Sequence, residues 1–202
     1  MKFSNLIKTV GFATVAALIF ANNALAQSTV LVVDQTRVLR DSDVGKHVNR
    51  QVVSIAKQME AELTAQATPI KVERDKLLVE LKTMSVEAMK LRPDLQQRAK
   101  VLQEKMQKTQ VEEKYKQTEL QITEQKALVK INAKLEVILQ AIVTEKKADV
   151  IVDRSVVIFT SEAADITDEI LSRLNAQMKT VPVVRERLPR KPLPKQISRP
   201  TQ

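Results

Sequence analysis

"MKLRPDLQQRA", Met89 to Ala99, decides how this chain folds. It sits near the middle of about one hundred residues that otherwise read as uninterrupted helix. Before it, Val48, Val52, Ile55, Met59 and Leu63, then Leu77, Leu81, Met84, Ala88 and Leu91, recur at spacings of three and four. After it, Leu95, Ala99, Leu102 and Met106 continue the pattern, which fades through "QKTQVEEKYKQTE" (Gln107 to Glu119) and returns at Leu135, Ile138 and Ile142. These are heptad stripes. A proline inside a helix removes a hydrogen bond and clashes with the preceding turn, at about 3 kcal/mol, and it drives the residue before it out of helical geometry. Arg92 is therefore the predicted break, and Pro93 and Asp94 open a new helix. Reversal at that point lets the stripes ending at Leu91 and restarting at Leu95 face each other as an antiparallel pair. Each arm then holds roughly 45 to 50 residues and reaches on the order of 70 Å. Pro69, midway along the outgoing arm, reads as a tolerated kink or as a hinge for the outer half.

The flanks of the hairpin are β-rich. "TVLVVD" (Thr29 to Asp34) is a β-branched run of the buried-strand type, and "DVIVDRSVVIFT" (Asp149 to Thr160) predicts two strands folded around Asp153-Arg154-Ser155. "DITDEILSRLNAQM" then places Ile166, Ile170, Leu171 and Leu174 on one helical face, with Asp165 or Thr167 as cap. Folding back at Pro93 returns Asp149 to the side of Asp34, so three short strands can share one sheet. The expected class is α+β: a small sheet body, with Val32, Ile151 and Ile158 in its core, carrying a long coiled-coil hairpin. Such a body buries little surface per chain, and association through the sheet end is the expected remedy.

Residues 1–26 form a secretory leader: Lys2 and Lys8, the apolar run Val10 to Phe20, and Ala24-Leu25-Ala26 before the cleavage point. The apolar run is shorter than the roughly 18 to 20 residues of a membrane span. The mature chain is expected to be a soluble exported protein starting at Gln27. It has no cysteine, so disulfides, thiolate metal sites, thiol nucleophiles and a lipid-bearing N-terminal cysteine are excluded. Once the leader is gone, Tyr115, Phe159 and Gly45 are the sole residues of their kinds, too little material for a large aromatic core or a glycine-rich phosphate loop. The formal charge of +9 is concentrated in the tail, where Arg185, Arg187, Arg190, Lys191, Lys195 and Arg199 face Glu186 alone. The regions expected are thus a leader (1–26), a body from 27–43 and 149–180, an arm (44–148) with its tip near 91–95, and a basic, proline-rich, disordered tail (181–202).

"VLVVDQTRVL" after a leader, a charged helical hairpin, and the closing block "ADVIVDRSVVIFTSEAADITDEILSRL" together resemble the Skp family, also called the OmpH-like proteins. The resemblance runs from Thr29 to about Leu174 and leaves out the tail. It implies a homotrimer shaped like a jellyfish, with a β-rich body and helical-hairpin tentacles. It also implies an ATP-independent periplasmic holdase that shelters unfolded outer-membrane β-barrel proteins in the space between the arms. An unfolded barrel strand exposes alternating apolar residues and unpaired backbone, and flexible Leu, Met and Lys side chains can hold it without sequence preference.

Candidate client contacts on the arm are Leu77, Leu81, Met84, Leu95, Leu102 and Met106, which read first as the hairpin seam and second as client contacts. Lys82, Lys90, Arg92, Arg98, Lys100, Lys105 and Lys108 make the outer arm basic. They are either a solvated face or a means of steering acidic clients and meeting anionic lipid or lipopolysaccharide. His47 has no partner for metal or base chemistry, and Asp34 and Asp153 end strands where aspartates turn or cap the chain. No nucleophile or nucleotide loop accompanies them, so neither an enzyme nor a cofactor is expected. Export and the scarcity of stacking aromatics argue against nucleic acid. The rival reading is a coiled-coil spacer or envelope tether that attaches through the basic tail.

Overall fold

The computed structural model describes residues 28–191; residues 1–27, with the expected leader, and residues 192–202 lie outside the described part. The chain runs β1 (Val30–Val33), α1 (Gln35–Asp41), α2 (Asp43–Lys82), α3 (Val86–Lys90), α4 (Pro93–Lys146), β2 (Val150–Asp153), a 3-10 turn (Arg154–Val156) and α5 (Thr167–Gln177). No helix among the described residues is long and apolar enough to cross a membrane.

Helices α2 and α4 form the antiparallel hairpin. Pro93 opens α4 with Arg92 as its N-cap, as the sequence reading requires. The outgoing helix, however, ends at Lys82 rather than Leu91. Thr83 turns its hydroxyl onto the Glu80 carbonyl (2.9 Å), and Ser85 accepts the Ala88 N–H (3.2 Å), capping the separate short helix α3. Local Ser/Thr bonds to the backbone compete with helix continuation, so the tip spans Thr83 to Arg92 and leaves Leu91 in solvent, 80% exposed. Pro69 lies inside continuous α2. One residue before it, the Thr68 hydroxyl bonds the Thr64 carbonyl at 2.8 Å.

The sheet is smaller than expected. β1 and β2 pair in parallel, Val30 opposite Val150 through Val33 opposite Asp153. The other side of β1 is taken by the segment leading into α5: Val32 N–H donates to the Ala164 carbonyl (2.8 Å) and Ile166 N–H to that of Val32 (2.9 Å). The predicted third strand, Val156 to Thr160, therefore finds no place on β1. At its start Asp153 accepts from Ser155 N–H (2.9 Å) and from its hydroxyl (2.5 Å), which winds the chain into the 3-10 turn instead of a hairpin. Val32 is buried and Ile151 partly so, but Ile158, expected in the core, is wholly exposed, and Phe159 beside it is 84% exposed.

Two apolar clusters divide the molecule. The larger joins the body to the near half of the arm through Leu31, Val33, Val38, Val44, Val48, Ile131, Ile138, Ile142, Ile170 and Leu174. The smaller one, at the tip, consists of Leu77, Leu95 and Leu102 with Ile70, Leu81 and Met84 against them. Polar bonds fix the body's corners. Asp34 caps α1 by accepting Arg37 N–H (2.7 Å), Asp34 N–H donates to the buried Thr167 hydroxyl (2.9 Å), and Asp165 accepts Thr167 N–H (2.9 Å) at the start of α5. Lys147, in the left-handed conformation at φ 51°, closes α4.

Ser42 ends α1 and caps α2, accepting Gly45 N–H at 3.1 Å. A Cβ on Gly45 would stand 1.6 Å from the Leu39 carbonyl oxygen, so close approach of α1 requires glycine there.

Candidate functional site

The distal arm holds most of the residues singled out from the sequence. Leu77, Leu95 and Leu102 are buried in the hairpin seam, Leu81 and Met84 are half-buried against them, and Met106 is 37% exposed. The seam therefore withdraws the first three from any client. Two of the basic residues act as a clasp across the tip. Arg98 reaches Glu73 (2.7 Å) and Glu80 (2.8 Å), while Arg92 holds Asp94 (2.8 Å) and Glu80 (3.3 Å). Arg98 holds the Glu73 carboxyl below its ordinary pKa, and Arg92 brings Asp94 down to about 2. Lys82, Lys90, Lys100, Lys105 and Lys108 stay exposed. Beside Pro69 lies a cleft of about 1010 Å³, lined by Pro69, Ile70, Val101 and Leu102 with Arg98, Lys105 and Lys108, and on its other side by Arg187, Leu188 and Arg190 of the tail.

Between the two apolar clusters the seam turns polar without losing its register. The buried residues of α4 include Lys116, Glu119 and Thr123, followed by Ala127, Ile131 and Leu135 at the same spacings of three and four. Lys116 meets Glu62 of the outgoing helix, and Glu119 and Thr123 meet the tail. Disorder, expected over 181–202, does not hold for 181–191: after α5 the chain runs extended along the arm toward the tip. Val181 is buried in the main cluster with Val183 packed against it. Arg185 makes a two-pronged pair with Glu62 (2.7 and 2.9 Å), and the buried Lys116 ammonium donates to the same carboxylate. Glu186 N–H donates to the Thr123 hydroxyl (2.9 Å), Leu188 N–H to Glu119 (2.8 Å) and Lys191 N–H to the Tyr115 oxygen (3.2 Å). Arg190 grips Glu112 through Nε (2.8 Å) and Nη2 (2.6 Å), reaches Glu119 at 2.5 Å, and lies 4.5 Å over the Tyr115 ring.

The electrostatics follow from these contacts. Glu62 is drawn down to about 2 by hydrogen bonds from Arg185 and Lys116. Glu112 is lowered by Arg190. Burial pushes Glu119 upward, but Arg190 and the Leu188 amide outweigh it, and the carboxyl lies below its ordinary range. The sequence reading missed Glu62, Glu112, Tyr115, Lys116, Glu119 and Thr123. The signal was available: polar side chains occupying a core-facing stripe need a polar partner.

His47 is half-buried on α2, and no group of His, Cys, Asp and Glu suited to a metal occurs among the described residues. Asp34 and Asp153 cap turns. Fold and site together define a protein with a small α+β body and one long two-helix arm, along whose middle the C-terminal segment is docked.

Residues 29–174 match the family of outer membrane proteins described as OmpH-like, and the chain belongs to that family. No curated protein matches it. It is similar to a crystal structure from Caulobacter crescentus of a protein described as a candidate outer membrane chaperone (OmpH-like). The two are 33% identical with a TM-score of 0.66, over 80% of this chain and 92% of that one. The family match ends at Leu174, before the docked tail begins.

Proposed function

We propose that this chain is an ATP-independent periplasmic holdase, exported by residues 1–26, that keeps unfolded outer-membrane β-barrel proteins from aggregating. The observation that carries the reading is the outer arm. Beside it lies a cleft of about 1010 Å³, walled on one side by the tail, that mixes apolar side chains with cations and the carboxylates of Glu73 and Glu112, a lining suited to weak, sequence-tolerant capture of an extended amphipathic chain. Membership of the OmpH-like family and the resemblance to a candidate chaperone point the same way.

A trimer built on the body completes the proposal. Val150, Val156, Ile158 and Phe159 lie exposed along and beyond β2, an apolar strip beside a strand edge of the kind that second copies cover. Arms from three bodies then enclose the client. Exposed Lys82, Lys90 and Lys100 at the outer end suit acidic client segments or anionic lipid headgroups. The tether reading is weakened because Arg185 and Arg190 are engaged with the chain's own arm.

The test is sedimentation of residues 27–202 alone and with a urea-unfolded outer-membrane β-barrel protein diluted into nucleotide-free buffer. A trimer that carries the client in a defined soluble complex supports the proposal; precipitation of the client at stoichiometric trimer refutes it.

A further inference from the structure

The docked tail shows how the middle of the arm receives an extended polypeptide. Thr123, Glu119 and Tyr115 lie one above another along a single ridge of α4 and accept main-chain N–H groups of residues 186, 188 and 191 in turn. The first step is nearly commensurate: four residues of helix, Thr123 to Glu119, rise about 6 Å, and two residues of extended chain, 186 to 188, about 6.6 Å, so a strand running antiparallel to α4 presents an inward N–H to each. The last step takes three tail residues, Leu188 to Lys191, and crosses Pro189, which has no N–H.

Main-chain acceptance of this kind reads no side chains. Selectivity comes from sockets at either end: Glu62 for Arg185, and Glu112 with the Tyr115 ring for Arg190.

The tail does not fill these sockets perfectly. Glu119 Oε2 and Arg185 Nε are buried without hydrogen-bond partners among the described residues. Beyond Val183 the strap is held mainly by ion pairs, whose desolvation offsets much of their attraction. At its far end the groove runs into the open cleft, of which Arg187, Leu188 and Arg190 form one wall, so a second extended segment has a way in alongside the first. We propose that this ridge, bounded by Glu62, Glu112, Tyr115, Glu119 and Thr123, is a binding site for an extended basic polypeptide segment, and that residues 185–191 are its tethered, displaceable occupant. The ligand class is a non-helical chain carrying two cations about five residues apart.

The probe is a fluorescent synthetic peptide with the sequence of residues 185–202, titrated by anisotropy. It is tested against residues 27–202, against a chain ending at Val184, which keeps the buried Val181, and against full-length R185E/R190E. This last variant opens the sockets without shortening the chain, and circular dichroism checks that it keeps its helix content. The expected result is saturable binding of one peptide per chain to both opened forms, at least tenfold tighter than to the intact protein. Binding should weaken at least tenfold with Glu62→Gln and Glu112→Gln in the truncated chain.

A Gly/Ser/Thr peptide with two arginines at the spacing of Arg185 and Arg190 should compete. Equal binding to intact and opened proteins, no binding to either opened form, or failure of the two-arginine peptide to compete would each overturn the proposal. No client is present in this experiment, so its failure leaves the holdase reading untouched.

Discussion

Gly45→Ala puts the corner between α1 and α2 to the test. The added Cβ would lie 1.6 Å from the Leu39 carbonyl oxygen, 2.7 Å from its carbonyl carbon and 2.9 Å from Ser42 Oγ. The first two contacts are backbone, so no rotamer change relieves them, and α1 must move away from α2. Overpacking of this sort costs about 1 to 3 kcal/mol. Displacing Ser42 from its bond to Gly45 N–H adds about 1 kcal/mol for a lost cap, and alanine's better helix propensity returns about 1 kcal/mol.

The net expectation is a loss of about 2 kcal/mol. With a urea slope of about 1 to 3 kcal/mol per molar, the midpoint falls by roughly 1 M. The assay is urea unfolding followed by circular dichroism at 222 nm, with both proteins at the same concentration, because association shifts the apparent midpoint. An unchanged or higher midpoint would refute the reasoning, since it would mean that the corner is not close-packed on Gly45.

Acid should release the strap. Glu62 titrates near 2 in the folded chain against an ordinary value of 4.5, so its attachment is fully present above about pH 4.5 and lost as pH falls toward 2. Spin labels on cysteines placed at Lys108 and Lys191 should show the distance broadening over that window, with no change between pH 6 and 8. Leu102→Ala opens the tip cluster and should cost about 2 to 4 kcal/mol locally, seen as faster amide hydrogen exchange in Leu77–Met106 while the body stays protected. Ile158→Asp with Phe159→Asp should leave the secondary structure of the single chain intact and convert the sedimenting species to monomer; an unchanged mass would remove the exposed strip from the assembly.

The hairpin was legible because its signals are local and redundant: one proline, and apolar residues at spacings of three and four on both sides of it. The Thr83–Ser85 break was not, because Leu81, Met84, Ala88 and Leu91 keep the heptad spacing, and a hydroxyl competing for a carbonyl does not disturb that count. The third strand failed for a different reason. Val156 to Thr160 has strand-like composition, but whether it pairs depends on which segment takes the free side of β1, and Ala164–Ile166 takes it.

The strap was the least legible element. Its contacts join residues far apart in sequence, Arg190 to Glu112 and Arg185 to Glu62, and an extended chain has no periodicity that points to its partner. The polar run Gln107 to Glu119 read as a fading stripe, whereas its buried members keep the core-facing register and change only in chemistry.

Because β1 and β2 are hydrogen-bonded neighbours, the whole arm is an excursion between two adjacent strands. Closing so long a loop as a flexible coil would be slow and entropically costly. A hairpin that folds first brings the two strand segments within reach and reduces closure to a short-range event, with the parallel register setting Asp149 beside Thr29 and not, as expected from the sequence, beside Asp34. The order of assembly is thereby set by connectivity: arm, then body. A chain emerging N-terminus first holds β1 unpaired until nearly three-quarters of its length has appeared, and Val150 to Phe159, the strip proposed to pair copies, follows only then.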